Sequence, residues 1–281
     1  MSYKDLLVVL DSDAASRGRI DLAAGLAERF AAHLVGLYTL PVPEPPRHLG
    51  YYDPTLLDPF FREMREKAQE VCENERAVFE HASSLRGLSA EWRVTEPGTA
   101  SDPALHARYV DLTILGQLDP EHGDADLARP RPEQVALACG RPVLVVPYAG
   151  RFASLGRRVL IGWDASREAT RAVNDALPLL TTAEAVTVLT IDAREGPDAH
   201  GELPGADILL HLARHGVKAE IERTVSAGIP AGDVLLSRAA DLGADLLVIG
   251  AYGHSRVREL LLGGATRSIL RSMTLPVLMS H

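Results

Sequence analysis

The sequence predicts an α/β protein of two tandem doubly wound units, each a five-stranded parallel sheet of strand order 3-2-1-4-5 with helices on both faces. Three observations carry that expectation. The chain repeats itself, it alternates short apolar runs with amphipathic stretches, and runs such as Asp245-Leu-Leu-Val-Ile-Gly250 are too continuously apolar for a strand with one wet face.

The repeat comes first. Leu6-Leu7-Val8-Val9-Leu10-Asp11 is echoed 153 residues later by Val159-Leu160-Ile161-Gly162-Trp163-Asp164. Farther along, Asp111-Leu-Thr-Ile-Leu-Gly116 matches Asp245 to Gly250, and Pro142-Val-Leu-Val-Val matches Pro276-Val-Leu-Met, both at an offset of 134. The first unit thus holds 19 extra residues between its first and fourth strands, and the proline-rich stretch Pro41 to Pro59 is expected to carry them as an ordered loop or lid. The Pro-, Gly-, Ala- and Ser-bearing stretch Tyr148 to Gly156 separates residues 1–150 from 151–281. Within the second unit, strands are expected at 157–163, 185–192, 218–225, 245–250 and 276–280. Helices fall near 166–179, 202–215, 230–241 and 263–272. The two apolar final strands would leave exposed sheet edges, so they are expected to meet inside the chain as a pseudo-twofold pair, with further homodimerisation left open.

Composition removes several function classes. With 281 residues, 46% of them hydrophobic and 24% charged, the chain has the material for a sizeable core. Its 29 basic against 38 acidic residues give a net charge of −9, which argues against a nucleic-acid partner. No apolar run approaches the roughly 20 residues of a membrane span, and only Ser2, Tyr3 and Lys4 separate Met1 from the first charged and apolar residues. A cytoplasmic protein with no membrane partner is expected. Cys72 and Cys139 lie far apart and in no CxxC, which points to buried thiols in a reducing compartment.

Open parallel sheets bind ligands beyond the carboxyl ends of their strands, where the strand order reverses. There the sequence places Asp164, at the end of the first strand of the second unit, beside the glycine-bearing stretch Gly250-Ala-Tyr-Gly253 and a helix that starts near Gly263-Gly264. Glycines admit close backbone approach, and a helix N-terminus offers unpaired N–H groups to an anion. Residues 250–281 carry four arginines, Arg256, Arg258, Arg267 and Arg271, against Glu259. In the first unit Asp119 and Arg129 stand where the second has Gly253 and Gly263, and Glu121, Asp124 and Asp126 crowd the same stretch, so at most one competent phosphate site is expected.

The pattern Gly250-x2-Gly253-x9-Gly263-Gly264, followed by Ala265-Thr266-Arg267 and then Pro276-Val277, resembles the universal stress protein family across essentially the whole chain as a tandem pair. That resemblance implies Rossmann-like domains, a degenerate one at 1–150 and one with the glycine motif at 151–281. It also implies a regulatory protein of the stress response that holds ATP or a related adenine nucleotide, with or without Mg, through Asp164, the main chain at Ile191 and the loop glycines Gly250, Gly253 and Gly263. Gly264 departs from the family pattern, which offers a Ser or Thr hydroxyl to phosphate there, and Thr266 is the candidate substitute.

Each of these residues also has a plainer reading. The glycines serve a simple strand-to-helix connection, and Asp164 and Asp11 serve helix-initiating turns. His254 either donates to a phosphate or caps its loop. His211 and His215 are one helical turn apart, a spacing that suits a metal, but no third ligand accompanies them and a solvated helix face is expected, with no metal site. A Walker ATPase is excluded because Lys4, Lys67 and Lys218 are the only lysines and none follows a glycine loop. No G-x-S-x-G elbow supplies a nucleophile, and Asp164 has no partner carboxylate, so no catalytic residue is assigned and any turnover is expected to be slow. The alternatives are a ligand-free scaffold with an unknown protein partner and a weak ATP hydrolase.

Overall fold

A computed structural model describes residues 2–11, 15–40, 54–95, 103–119, 131–152, 154–193, 205–252 and 264–281. The first half of the chain forms β1 (Asp5–Leu10), α1 (Ser16–Phe30), β2 (His33–Thr39), α2 (Pro54–Leu85), β3 (Ala90–Thr95), α3 (Pro103–Ala107), β4 (Leu112–Gly116), α4 (Pro132–Cys139) and β5 (Val143–Val146). The second forms β6 (Arg158–Gly162), α5 (Arg167–Leu180), β7 (Ala185–Ile191), α6 (Ala206–Arg214), β8 (Ala219–Thr224), α7 (Ala231–Asp241), β9 (Leu246–Gly250), α8 (Ala265–Ser272) and β10 (Val277–Ser280).

All ten strands join one mixed sheet of order β3-β2-β1-β4-β5-β10-β9-β6-β7-β8. Neighbours within each half run parallel, and the single antiparallel pair is β5 with β10. Pairing registers obey the sequence repeat: Val8 faces Ile114 and Ile161 faces Val248, while Thr113 faces Val143 and Leu247 faces Val277. At the junction Leu144 faces Leu278, its own counterpart at the 134-residue offset, flanked by Val145 with Val277 and Val143 with Met279. The pseudo-twofold therefore passes through the Leu144–Leu278 pair, as in an isologous contact between two subunits.

Successive side chains of a strand point to opposite faces, and here both faces are dry. Leu6, Val8 and Leu10 enter one core with residues of α1, α2, α5 and α6, whereas Leu7 and Val9 enter the other with α3, α4, α7 and α8. Both cores run through the junction, the first through Leu144 and Leu278, the second through Val143, Val145, Val277 and Met279. Polar groups reinforce the seam. Tyr3 Oη donates to the Asp175 carbonyl at 2.7 Å, Arg29 to that of Leu155 at 2.9 Å, and Gln117 to that of Leu270 at 2.8 Å. Burial, with nearby Asp175 and Asp111, pushes the Tyr3 phenol up, so it stays a neutral donor.

The connection between the halves is pinned down. Leu155 is buried, and the Asp245 carboxylate accepts from the backbone N–H groups of Gly156, Arg157 and Arg158 at 2.9–3.1 Å. The lid expected over Pro41 to Pro59 needs correction where it can be described: residues 41–53 lie outside the described residues, and residues 54–59 open α2, a helix of 32 residues against the nine of α6. Pro54 at the first helical position lacks only an N–H that a helix start leaves unpaired, whereas Pro59 lies inside the helix and forgoes one backbone hydrogen bond there. Cys72 and Cys139 are buried free thiols, and burial raises both thiol pKa values.

Placing a charge in the seam tests its importance. Val145 is fully buried, so Val145→Lys should cost about 3 kcal/mol or more through an uncompensated buried ammonium. Thermal melting should show that loss, and small-angle scattering should show a particle more extended than the parent.

Candidate functional site

The residues named from sequence gather at one end of the second half of the sheet. β6 lies between β9 and β7, with Ile161 level with Val248 and Gly162 level with Leu189. Asp164 thus leaves its strand between Gly250, which ends β9, and Ile191, which ends β7. α8 begins at Ala265 behind Gly264, and Thr266 in its first turn reaches the same end: the Tyr252 N–H points at Thr266 Oγ1, 3.5 Å away. Gly253, His254 and Gly263 lie outside the described residues.

Each placement has a local cause. Asp164 is exposed and its Oδ1 accepts from Ser166 N–H at 3.0 Å and Ser166 Oγ–H at 2.6 Å, across Ala165 with φ 58°. Ser166 in turn caps α5, accepting from Ala169 N–H at 3.1 Å. The plainer role foreseen for Asp164, a helix-initiating turn, is present, and it leaves the carboxylate facing solvent at the strand end.

Gly250 has a packing duty that its sequence context did not reveal. A Cβ there would sit 2.4 Å from Ala169 N and 2.6 Å from Glu168 C, so only glycine lets the first turn of α5 rest on the end of β9. Gly232 plays the same part between α7 and α8, since a Cβ there would meet the Ala265 carbonyl oxygen at 2.7 Å. The strand end is held further by Ala251, whose N–H donates to Ser280 and whose carbonyl accepts from His281 Nδ1 at 2.8 Å. Gly264 precedes α8 in an extended conformation without a side-chain cap, and its carbonyl accepts from Arg267 and Ser268. Thr266 is buried, which directs its hydroxyl toward the Tyr252 backbone.

Beside Ile191, Asp192 has φ 50° and accepts from the Ser226 N–H at 3.0 Å, tying the exits of β7 and β8 together. The Ser226 hydrogen bond holds its carboxyl below the ordinary value. His211 and His215 lie with ring centroids 4.6 Å apart, and His211 Nε2 meets Asn174 Oδ1 at 3.2 Å. Among the described residues no group of three metal-ligating side chains forms.

The matching end of the first half is built differently. Asp11 accepts from Arg19 Nη2 at 2.5 Å, and Arg19 is almost wholly buried, whereas its repeat position in the second half is the small Ala172. From α2, Glu75 accepts from Ser16 Oγ at 2.5 Å beside this pair. Desolvation raises the Glu75 carboxyl, against the opposing pull of the Ser16 hydrogen bond and the Arg19 charge. The sequence argument located the difference between the halves in Asp119 and the acids that follow. Glu121, Asp124, Asp126 and Arg129 lie outside the described residues, and the described distinction is Arg19 on Asp11.

Comparison with known proteins places this architecture. The profile of the universal stress protein family matches residues 156–281, a range that holds the whole second half of the sheet and the Asp164 turn. That match lies wholly in the second half of the chain, which is similar to the universal stress protein family. Universal stress protein Slr1230 of Synechocystis is 30% identical over 148 residues, 52% of this chain, and the chain spans about half the length (49%) of that relative. Among solved structures, a universal stress protein from Archaeoglobus fulgidus superposes with a TM-score of 0.70 at 19% identity, covering 98% of this chain and 94% of its own. A functionally unknown protein from Pseudomonas aeruginosa gives 0.52 at 17% identity, covering 98% and 92%. At those identities the likeness is one of fold, and it extends over both halves.

Two substitutions check the site's architecture. Gly250→Ala should destabilise the protein by about 2 kcal/mol, because the methyl group must displace helix backbone and not a flexible side chain; chemical denaturation reads this directly. For Glu75 the sign follows from its raised pKa. The fold takes up a proton there, so its contribution is complete below the ordinary value of 4.5 and is lost as pH rises through the raised value. Glu75→Gln should therefore flatten the fall in melting temperature with rising pH across that window, and an unchanged slope would contradict the burial argument.

Proposed function

We propose that this chain is a universal stress protein that binds ATP or a related adenine nucleotide at the carboxyl ends of β6, β7 and β9, and that occupancy regulates a partner in the stress response. One observation carries the reading: Asp164, the exit of β7 at Ile191, Gly250 and the N-terminus of α8 converge on one end of adjacent strands. In this proposal the Asp164 carboxylate and the main chain at Ile191 hold the base and sugar, while the stretch from Gly250 through Gly253 to Gly263, with the α8 amides, holds phosphate. His254 and Thr266 are the side chains nearest in sequence to that phosphate path. Any Mg would arrive with the nucleotide, since Asp164 is the sole carboxylate named for the site.

The first half is proposed not to bind. Its strand-end carboxylate already faces the Arg19 guanidinium, so a ligand there would have to compete with an ion pair whose arginine is buried. Replacement of the usual hydroxyl by Gly264 favours weak phosphate binding, and that same observation supports the ligand-free scaffold as the second reading.

Mass spectrometry of small molecules released on denaturation, followed by calorimetric titration, tests the proposal. One adenine nucleotide per chain is expected. Asp164→Asn keeps an oxygen acceptor for Ser166 and so should preserve the ligand-free melting temperature, yet weaken binding about tenfold, or 1.4 kcal/mol. Gly253→Asp, which copies the first half, should abolish it. Absence of both co-purified and added nucleotide would leave the scaffold reading standing.

A further inference from the structure

Helix α2 carries a seam longer than the body it packs on. Phe61, Met64, Ala68, Val71, Val78, Ala82 and Leu85 recur at alternating steps of three and four, broken only where Glu75 turns to Ser16. A sustained 3.5-residue period is the signature of a helix that pairs with another helix. From Val71 to Ala82 the seam has its partner: Cys72, Phe79 and Ala82 are buried in the core, with Val71 and Val78 packed against it, while Leu85 at the end of the helix is exposed. Before Val71, among the described residues, the seam joins neither core, although Phe61 and Ala68 are half-buried. Phe60, Phe61 and Met64 belong to neither, and Phe60 and Met64 are 39% and 38% exposed although both are large and apolar. From Asp58 to Glu70 every residue but the half-buried Phe61 and Ala68 is exposed, over a helix length of about 20 Å.

We propose that the exposed part of α2 is a homodimer surface on which a second copy of this chain lays the same segment antiparallel. Charge selects this occupant and this direction. With Phe61 against Met64 of the second copy, the antiparallel register sets Asp58 against Arg65, and by symmetry Arg65 against Asp58, along one flank. On the other flank Phe60 meets Lys67, whose methylenes cover the ring while its ammonium stays on Glu63. A parallel pairing would match Phe60 with Arg65 and Lys67 with Cys72, with no opposite charges. Lys67 also bonds Glu63 on the outer side at 2.7 Å, which keeps that face solvated and leaves the apolar stripe as the interface. The interface is separate from the β5–β10 seam, which is consumed within the chain.

Sedimentation equilibrium of the full chain tests it. At about 100 µM, a concentration suited to a small interface, the parent should show twice the 30.3 kDa chain mass and dissociate on dilution. Met64→Lys should give the monomer mass with an unchanged circular-dichroism melt. Asp58→Arg should weaken the dimer at least about tenfold, and Asp58→Arg combined with Arg65→Asp should restore it. A monomeric parent overturns the proposal, as does a dimer indifferent to Met64→Lys. Failure of the charge exchange to restore association overturns the antiparallel register. No nucleotide is added, and none of the residues proposed to hold it lies on α2, so the outcome is independent of the proposed ligand.

Discussion

Everything in this molecule depends on four-residue strands meeting in the middle. β5 and β10 are the last strands of the two repeats, and each would be an unpaired apolar edge if its half stood alone. Antiparallel pairing satisfies both edges at once and carries both hydrophobic cores across the junction. It also fixes direction: because the pair is antiparallel, the carboxyl ends of the two parallel sets point oppositely, so the two strand-end sites face away from each other and are free to differ.

They do differ, and the reason is a matter of volume and charge at a single helix position. Where α1 presents Arg19 to Asp11, α5 presents Ala172, and the Asp164 carboxylate is left to a serine turn at the surface. The long α2, which brings Glu75 and Phe79 onto the first half, belongs to the same divergence.

Much of this was legible in the sequence because strands buried on both faces leave an unmistakable apolar signature and because the repeat could be measured at fixed offsets. The offsets of 153 and 134 reappear as pairing registers, residue for residue. Local chemistry was less legible. Gly250 read as a ligand-loop glycine, but its Cβ would strike the backbone of α5, a contact 81 residues away in sequence that no periodicity reports. Nothing in the sequence singled out Arg19, since its contact with Asp11 and the nearby Glu75 of the long α2 leaves no periodic signal. Pro54 to Pro59 read as loop because proline usually ends helices, whereas here it begins one.

Native-state hydrogen exchange across β5 and β10 tests the central claim that the two halves share one sheet. The amides of Val143 to Val146 and Val277 to Ser280 should exchange as slowly as those of β1 and β6 and through a single global unfolding, because both cores pass through them. Exchange of the junction amides at the rate of an open edge, with the two halves unfolding in separate steps, would contradict it.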